Sequence, residues 1–158
     1  MIVWRIAADT PEYESNEMTG AGAKSTGGRW NSKGTALVYS SASRALACLE
    51  TLVHFNAAAL PLNRYLIQID IPDDVWAART VIDLSTAPIG WDALPAGRAS
   101  MELGNAWTRD KTSAILLVPS IAVPEEQNIL INPAHPQAVQ INAIKVRKWI
   151  YDSRFVKR

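Results

Sequence analysis

The stretch Gly27–Glu50, GGRWNSKGTALVYSSASRALACLE, decides how this chain is read. It passes from a glycine-rich loop into a short strand and then into a helix. Each piece carries one residue with chemistry: Arg29 behind paired glycines, Tyr39 at the end of TALVYSS, and Glu50 on the helix. Gly27 and Gly28 free the backbone to approach a ligand, and a guanidinium beside exposed N–H groups suits a phosphate. The same pattern also describes an arginine in an ordinary turn. Tyr39 offers either half-buried packing or a ring face for a planar base. Glu50 shares a helical edge with Ser43, Ala47 and His54, beside an apolar stripe of Leu46, Leu49 and Val53. A carboxylate there needs a partner, and His54 or Arg44 would supply an ordinary one.

Working outward, IVWRI reads as a strand and the segment from Ala7 to Gly34 as a long loop, of the kind that carries function. The helix runs from Ser43 toward Leu60 and stops before Pro61. RYLIQIDIP alternates, with Tyr65, Ile67, Ile69 and Ile71 on one face. A mixed region holds one brief helix, and AGRASMELGNAWTRDK forms a helix weakened by Gly104. SAILLVPS is a buried strand, and PEEQNILINPAHP brings a short strand and a Pro/Asn turn in which His135 sits. INAIKVRKWIYD ends the pattern as a strand, before a basic tail. Strands outnumber helices and lack regular crossover helices, so the fold class is α+β with a largely antiparallel sheet, in one domain over 1–158.

Composition sets the outer limits. Of 158 residues, 48% are apolar and 20% charged, and the net charge is +1. A chain of this size buries roughly two thirds of its unfolded surface and needs no staple. Charge near zero argues against direct nucleic-acid binding. The single cysteine, Cys48, rules out an internal disulfide and fits a reducing cytoplasm. No secretory leader and no bilayer-length apolar run is expected. Two histidines and one cysteine are too scattered for a metal site. GAGAKSTGGRW lacks the Walker spacing and has no buried strand before it. A ribonuclease would have to use His54, His135 and the basic residues Lys145, Arg147, Lys148, Arg154, Lys157 and Arg158. A nucleotide-sequestering module without turnover is the other rival.

Taken together, the motifs resemble the RES domain family, the toxins of bacterial RES–Xre toxin–antitoxin modules. The resemblance rests on Gly28-Arg29-Trp30-Asn31, Gly34, Tyr39 and Glu50, on VWRI, on LGNAW, and on LLVPSIAVPEEQNILINPAHP. It covers nearly the whole chain in order. It implies an ADP-ribosyltransferase-like fold, with a split, mostly antiparallel β core and flanking helices. It also implies NAD+ as substrate rather than cofactor, cleaved at the nicotinamide–ribose bond. The ADP-ribose then passes to water or phosphate, or alternatively to a protein. By the same resemblance Arg29, Tyr39 and Glu50 are catalytic, and Arg5, Arg29, Tyr39 and Ser120 bind NAD+. A cognate antitoxin of the Xre or MbcA-like kind is the implied partner, with no membrane involved. Ile6 departs from relatives that carry an aromatic after the strand arginine.

Overall fold

A computed structural model describes residues 1–53 and 61–155. Its frame is a seven-stranded sheet in the order β4-β5-β6-β2-β1-β3-β7. The strands are β1 (Ile2–Ala7), β2 (Val38–Ser41), β3 (Tyr65–Asp70), β4 (Thr80–Val81), β5 (Ile115–Pro119), β6 (Gln127–Ile131) and β7 (Asn142–Lys148). Only β4 and β5 pair in parallel; the other described pairs are antiparallel. The helices are α1 (Ala21–Thr26), α2 (Arg44–Leu52), α3 (Asp73–Ala77) and α4 (Arg98–Asp110). The α+β class and the antiparallel sheet therefore stand as expected.

The sheet is split where β1 meets β2. β1 pairs with β3 at six positions from Ile2↔Asp70 to Ala7↔Tyr65, but with β2 only at Trp4↔Ser41. Beyond that pair, Arg5 and Ile6 part from Ser40 and Tyr39, and a cavity opens between them. One half of the sheet is β4-β5-β6-β2 and the other is β1-β3-β7.

Alternation assigns the faces. Val3, Val38, Ile67, Ile69, Ile115, Leu117, Ile129 and Ile131 form one core with Val75 of α3. On the opposite face Leu37, Leu116, Val118 and Leu130 pack against Trp30 and against Trp107 of α4. On that same face α2 lies over β1 and β3, with Ala47 against Trp4, Ile6, Leu66 and Tyr151. These clusters bury the bulk of the apolar area that drives folding.

Three sequence expectations change. α2 buries Leu46 and Ala47, while Leu49 is 36% and Val53 59% exposed. A small Ala47 is what lets the helix sit on the bulky Trp4, and this turns the Leu49 and Val53 part of the expected stripe toward solvent while Leu46 stays buried. β3 is apolar on both faces because α2 covers Leu66 while Ile67 and Ile69 face the first core. The long loop contains α1, a short helix that its glycines and small polar residues concealed. The stretch of the expected long helix from 54 to 60, His54 included, lies outside the described residues.

Candidate active site

The GRWN turn is knotted onto β2. The Asn31 side chain is fully buried, and its Nδ2 donates to the carbonyls of Ala23 (2.8 Å) and Thr35 (2.9 Å). Its Oδ1 accepts the Tyr39 hydroxyl at 2.7 Å, and that hydroxyl oxygen accepts the Trp30 N–H at 3.0 Å. Gly28 lies so close that a Cβ there would stand 2.6 Å from the Tyr39 hydroxyl oxygen. Gly27 has φ +72°, a left-handed conformation that favours glycine. Trp30 anchors the turn in the core, 2% exposed, and stacks on Trp91 at 6.4 Å. The turn thus fixes the Tyr39 ring against the cavity wall. Burial pushes the Tyr39 hydroxyl far above its ordinary value, so it stays protonated.

Arg29 projects from this turn and donates through Nη1 to the carbonyls of Trp91 (2.7 Å) and Ala93 (3.0 Å). Burial lowers its pKa, while Glu50, Asp92 and Tyr39 act to raise it; an arginine remains a cation regardless. Arg5 lines the cavity from β1 and donates to the Glu17 carbonyl at 3.1 Å. Desolvation is the main cause lowering its pKa, with Tyr13 and Glu17 opposing. No carboxylate lies within ion-pair distance of Arg5 among the described residues. A desolvated guanidinium without a carboxylate attracts an anion.

Glu50 reaches across from α2 to the other half of the sheet. Its Oε1 accepts the Ser120 hydroxyl at 2.6 Å and the Asn128 amide at 2.5 Å. Ser120 is itself fully buried and accepts the N–H groups of Ala122 (3.0 Å) and Val123 (3.1 Å). The Ser41 hydroxyl donates to Asn128 Oδ1 at 2.7 Å. The local fold makes this inevitable: β2 and β6 pair Ser41 with Asn128, β6 and β5 pair Asn128 with Val118, and alternation brings Ser120 round to the same face. The ordinary partner expected for Glu50, Arg44, lies instead over the Trp4 ring, 3.7 Å from its centroid.

The cavity holds about 200 Å³ and is lined by Trp4, Arg5, Ile6, Tyr39, Ser40, Ser41, Ala47, Glu50, Thr51 and Asn128. Three expected site residues, Arg5, Tyr39 and Glu50, thus meet in one place, and Arg29 is within electrostatic reach of Glu50. Ser120 joins them differently from the expectation that it touches substrate. Its only proton goes to Glu50, so it holds a carboxylate rather than presenting a free hydroxyl. Asn128 was not expected at the site. Its signal was present in EEQN, but an asparagine after a charged turn reads as turn chemistry. A larger cavity of about 620 Å³ is bordered by Asp83, Glu125 and Glu126, a poor setting for an anionic ligand. His135 accepts the Gln137 N–H through Nδ1 and caps a 3-10 turn, as its position in NPAHP suggested. No group of metal-ligating side chains occurs among the described residues, and no described helix is long and apolar enough to cross a membrane.

The RES domain family matches residues 2–153. A Sphingobium sp. (strain YBL2) protein called Prs ADP-ribosylating toxin is 57% identical over 155 residues, covering 98% of this chain and 96% of its own. A Photorhabdus laumondii protein called Toxin Res is 37% identical over 158 residues, covering 99% and 98%. Among solved structures, the crystal structure of the M. tuberculosis MbcT-MbcA toxin-antitoxin complex matches with a TM-score of 0.59 at 17% identity. That match spans 92% of this chain and 84% of the other, and it shows a shared fold.

Proposed function

The chain belongs to the RES domain family, and from that premise we propose that it is a toxin enzyme that cleaves the nicotinamide–ribose bond of NAD+. The observation that carries this reading is the cavity itself. A carboxylate fixed through one oxygen faces a wall that holds a desolvated arginine and a rigid tyrosine ring. Nicotinamide leaves NAD+ as a neutral molecule, so the step needs no general acid. Its transition state resembles an oxocarbenium ion, as in glycoside hydrolysis. Glu50 accepts from a ribose hydroxyl and places negative charge where positive charge develops. The Tyr39 ring stacks on nicotinamide, held by the two hydrogen bonds of its hydroxyl. Arg5 and Arg29 grip the pyrophosphate. The cavity, at about 200 Å³, is below the range for a whole drug-sized ligand. It takes the nicotinamide riboside end, and the rest of the dinucleotide lies along the open split.

The acceptor is favoured by a single observation. The Sphingobium relative is named for ADP-ribosylation, so a protein side chain is the acceptor that this proposal ranks first, ahead of water and phosphate. An antitoxin that covers the split between β1 and β2 completes the system. The structural match to a toxin from a toxin–antitoxin complex supports that partner.

Mass spectrometry of NAD+ incubated with the purified protein tests the reading. Three arms, with buffer, with phosphate and with cell lysate, separate ADP-ribose, its phosphate ester and modified protein. Free nicotinamide in at least one arm is the expected result. Intact NAD+ in all three sinks the proposal.

A further inference from the structure

Both groups that hold Glu50 donate to the same oxygen. Ser120 Oγ and Asn128 Nδ2 reach Oε1 at 2.6 and 2.5 Å, and no described residue bonds Oε2. Glu50 lines the cavity between the two sheet halves, and so does Asn128. From this we infer that Asn128 is a positioning residue that clamps Oε1 and thereby leaves Oε2 as the atom that meets the substrate. The inference rests on the NAD+ reading for what the substrate is, but not for the clamp.

The chemistry of the amide makes the clamp directional. The Ser41 hydroxyl donates to Asn128 Oδ1, which turns the amide nitrogen toward the carboxylate. The flipped amide would set Oδ1 against a carboxylate oxygen, and neither atom carries a proton to share. Ser41 is held in turn by the β2–β6 register, Ser41↔Asn128. Position therefore passes from the sheet through Ser41 and Asn128 to one oxygen of Glu50. Ser120 adds a second tether from the end of β5, where two backbone N–H groups orient its hydroxyl. With Oε1 saturated from two sides, the carboxylate cannot rotate, and its charge at Oε2 is fixed in place before substrate arrives.

Asn128→Asp provides a sharp test because it keeps the shape and swaps the donor for an acceptor. Among the described residues, the charged and titratable groups that otherwise face Glu50 are Arg29 from the GRWN turn and Arg5 from β1, with Tyr39 neutral on β2. Two carboxylates in hydrogen-bond contact cannot both ionise easily, so proton uptake at the pair moves to higher pH. The substrate-free protein, labelled with 13C at glutamate carboxyl carbons, is titrated by NMR. Asn128→Asp is expected to move the Glu50 signal upward by about one pH unit or more relative to wild type. In kinetics with NAD+ the acid limb of the rate should move the same way. Asn128→Ala should lower kcat about tenfold or more and leave KM within about twofold, because the substrate meets Oε2 and not the clamp. Ser41→Ala should give a smaller loss of the same kind. An unmoved Glu50 titration in a folded Asn128→Asp protein overturns the clamp. Full kcat in Asn128→Ala overturns it equally. If wild type proves inert on NAD+, the functional proposal falls, and the NMR titration still decides the clamp.

Discussion

At the scale of single residues, Glu50 and Tyr39 separate chemistry from support. Glu50→Gln retains an acceptor oxygen for Ser120 and Asn128 and removes only the charge. Turnover of NAD+ should fall about a hundredfold, as when one preorganised electrostatic group is lost. The dissociation constant for NAD+ should change little, since Arg5 and Arg29 remain. Calorimetric binding beside kcat checks both halves. Tyr39→Phe makes the opposite cut: the ring stays and the hydroxyl goes. The Trp30 N–H and Asn31 Oδ1 then lose a partner in a half-buried turn. The expected cost is about 1–3 kcal/mol of stability, read by urea unfolding. The sign of the pH effect follows from burial, which raises the folded-state value. The unfolded chain gives up its tyrosine proton near pH 10 while the folded chain keeps it, so stability from Tyr39 is present below about pH 10 and is lost above it. Wild type should lose stability between pH 9 and about pH 11 more steeply than Tyr39→Phe, and equal slopes would contradict the buried hydroxyl.

At the scale of elements, α4 shows why some of the fold could be read and some could not. The sequence placed the helix but took Gly104 as a weakness. In the structure a Cβ at 104 would stand 1.8 Å from the Trp30 carbonyl oxygen, so the glycine is what lets α4 lie on the GRWN turn. Asn105 fastens the contact, accepting the Ser32 N–H at 3.0 Å and donating to Ser32 Oγ at 2.8 Å. Gly104→Ala must therefore push helix and turn apart. The expected loss is about 1–3 kcal/mol, with a drop in activity because the turn carries Arg29. A melting temperature and rate equal to wild type would show that the helix does not seat the turn. Contacts between distant segments of this kind leave no local signal. Strand-forming runs do leave one: IVWRI, TALVYSS, RYLIQIDIP and SAILLVPS each contain a strand, although α2 covers the face of β3 that alternation assigned to solvent. Arg29, Tyr39 and Glu50 stood out together in one stretch of sequence, but their joint role, and Arg5 as a site residue at all, came from the resemblance to the RES family. The direction of the Ser120 hydroxyl and the place of Asn128 were not legible, because both depend on strand register rather than on any neighbour in sequence.

For the whole molecule, the split sheet raises the question of what holds its halves at the right distance. Among the described residues, strand pairing between them is confined to Trp4↔Ser41. Besides the core that both halves share, from Val3, Ile67 and Ile69 on one side to Val38, Ile115 and Ile129 on the other, α2 is a further connection: Ala47 packs on Trp4 and Ile6 of one half, and Glu50 is hydrogen-bonded to Ser120 and Asn128 of the other. Glu50 is then a strap as well as a reactant, and two substitutions distinguish the roles. Glu50→Gln keeps the strap, so its melting temperature should stay close to wild type. Glu50→Ala cuts it and leaves the buried Ser120 hydroxyl and the Asn128 amide without their acceptor. That costs about 1–3 kcal/mol per orphaned group when water cannot reach it. At about 2–4 °C per kcal/mol for a chain of this size, a melting point several degrees lower is expected. Hydrogen exchange should localise the effect, with faster exchange at Arg5, Ile6, Tyr39 and Ser40 along the split and little change in β3–β7. Were Glu50→Ala to melt and exchange like Glu50→Gln, the halves would be held by the Trp4↔Ser41 pair and core packing alone, and the geometry of the cavity would not depend on its own carboxylate.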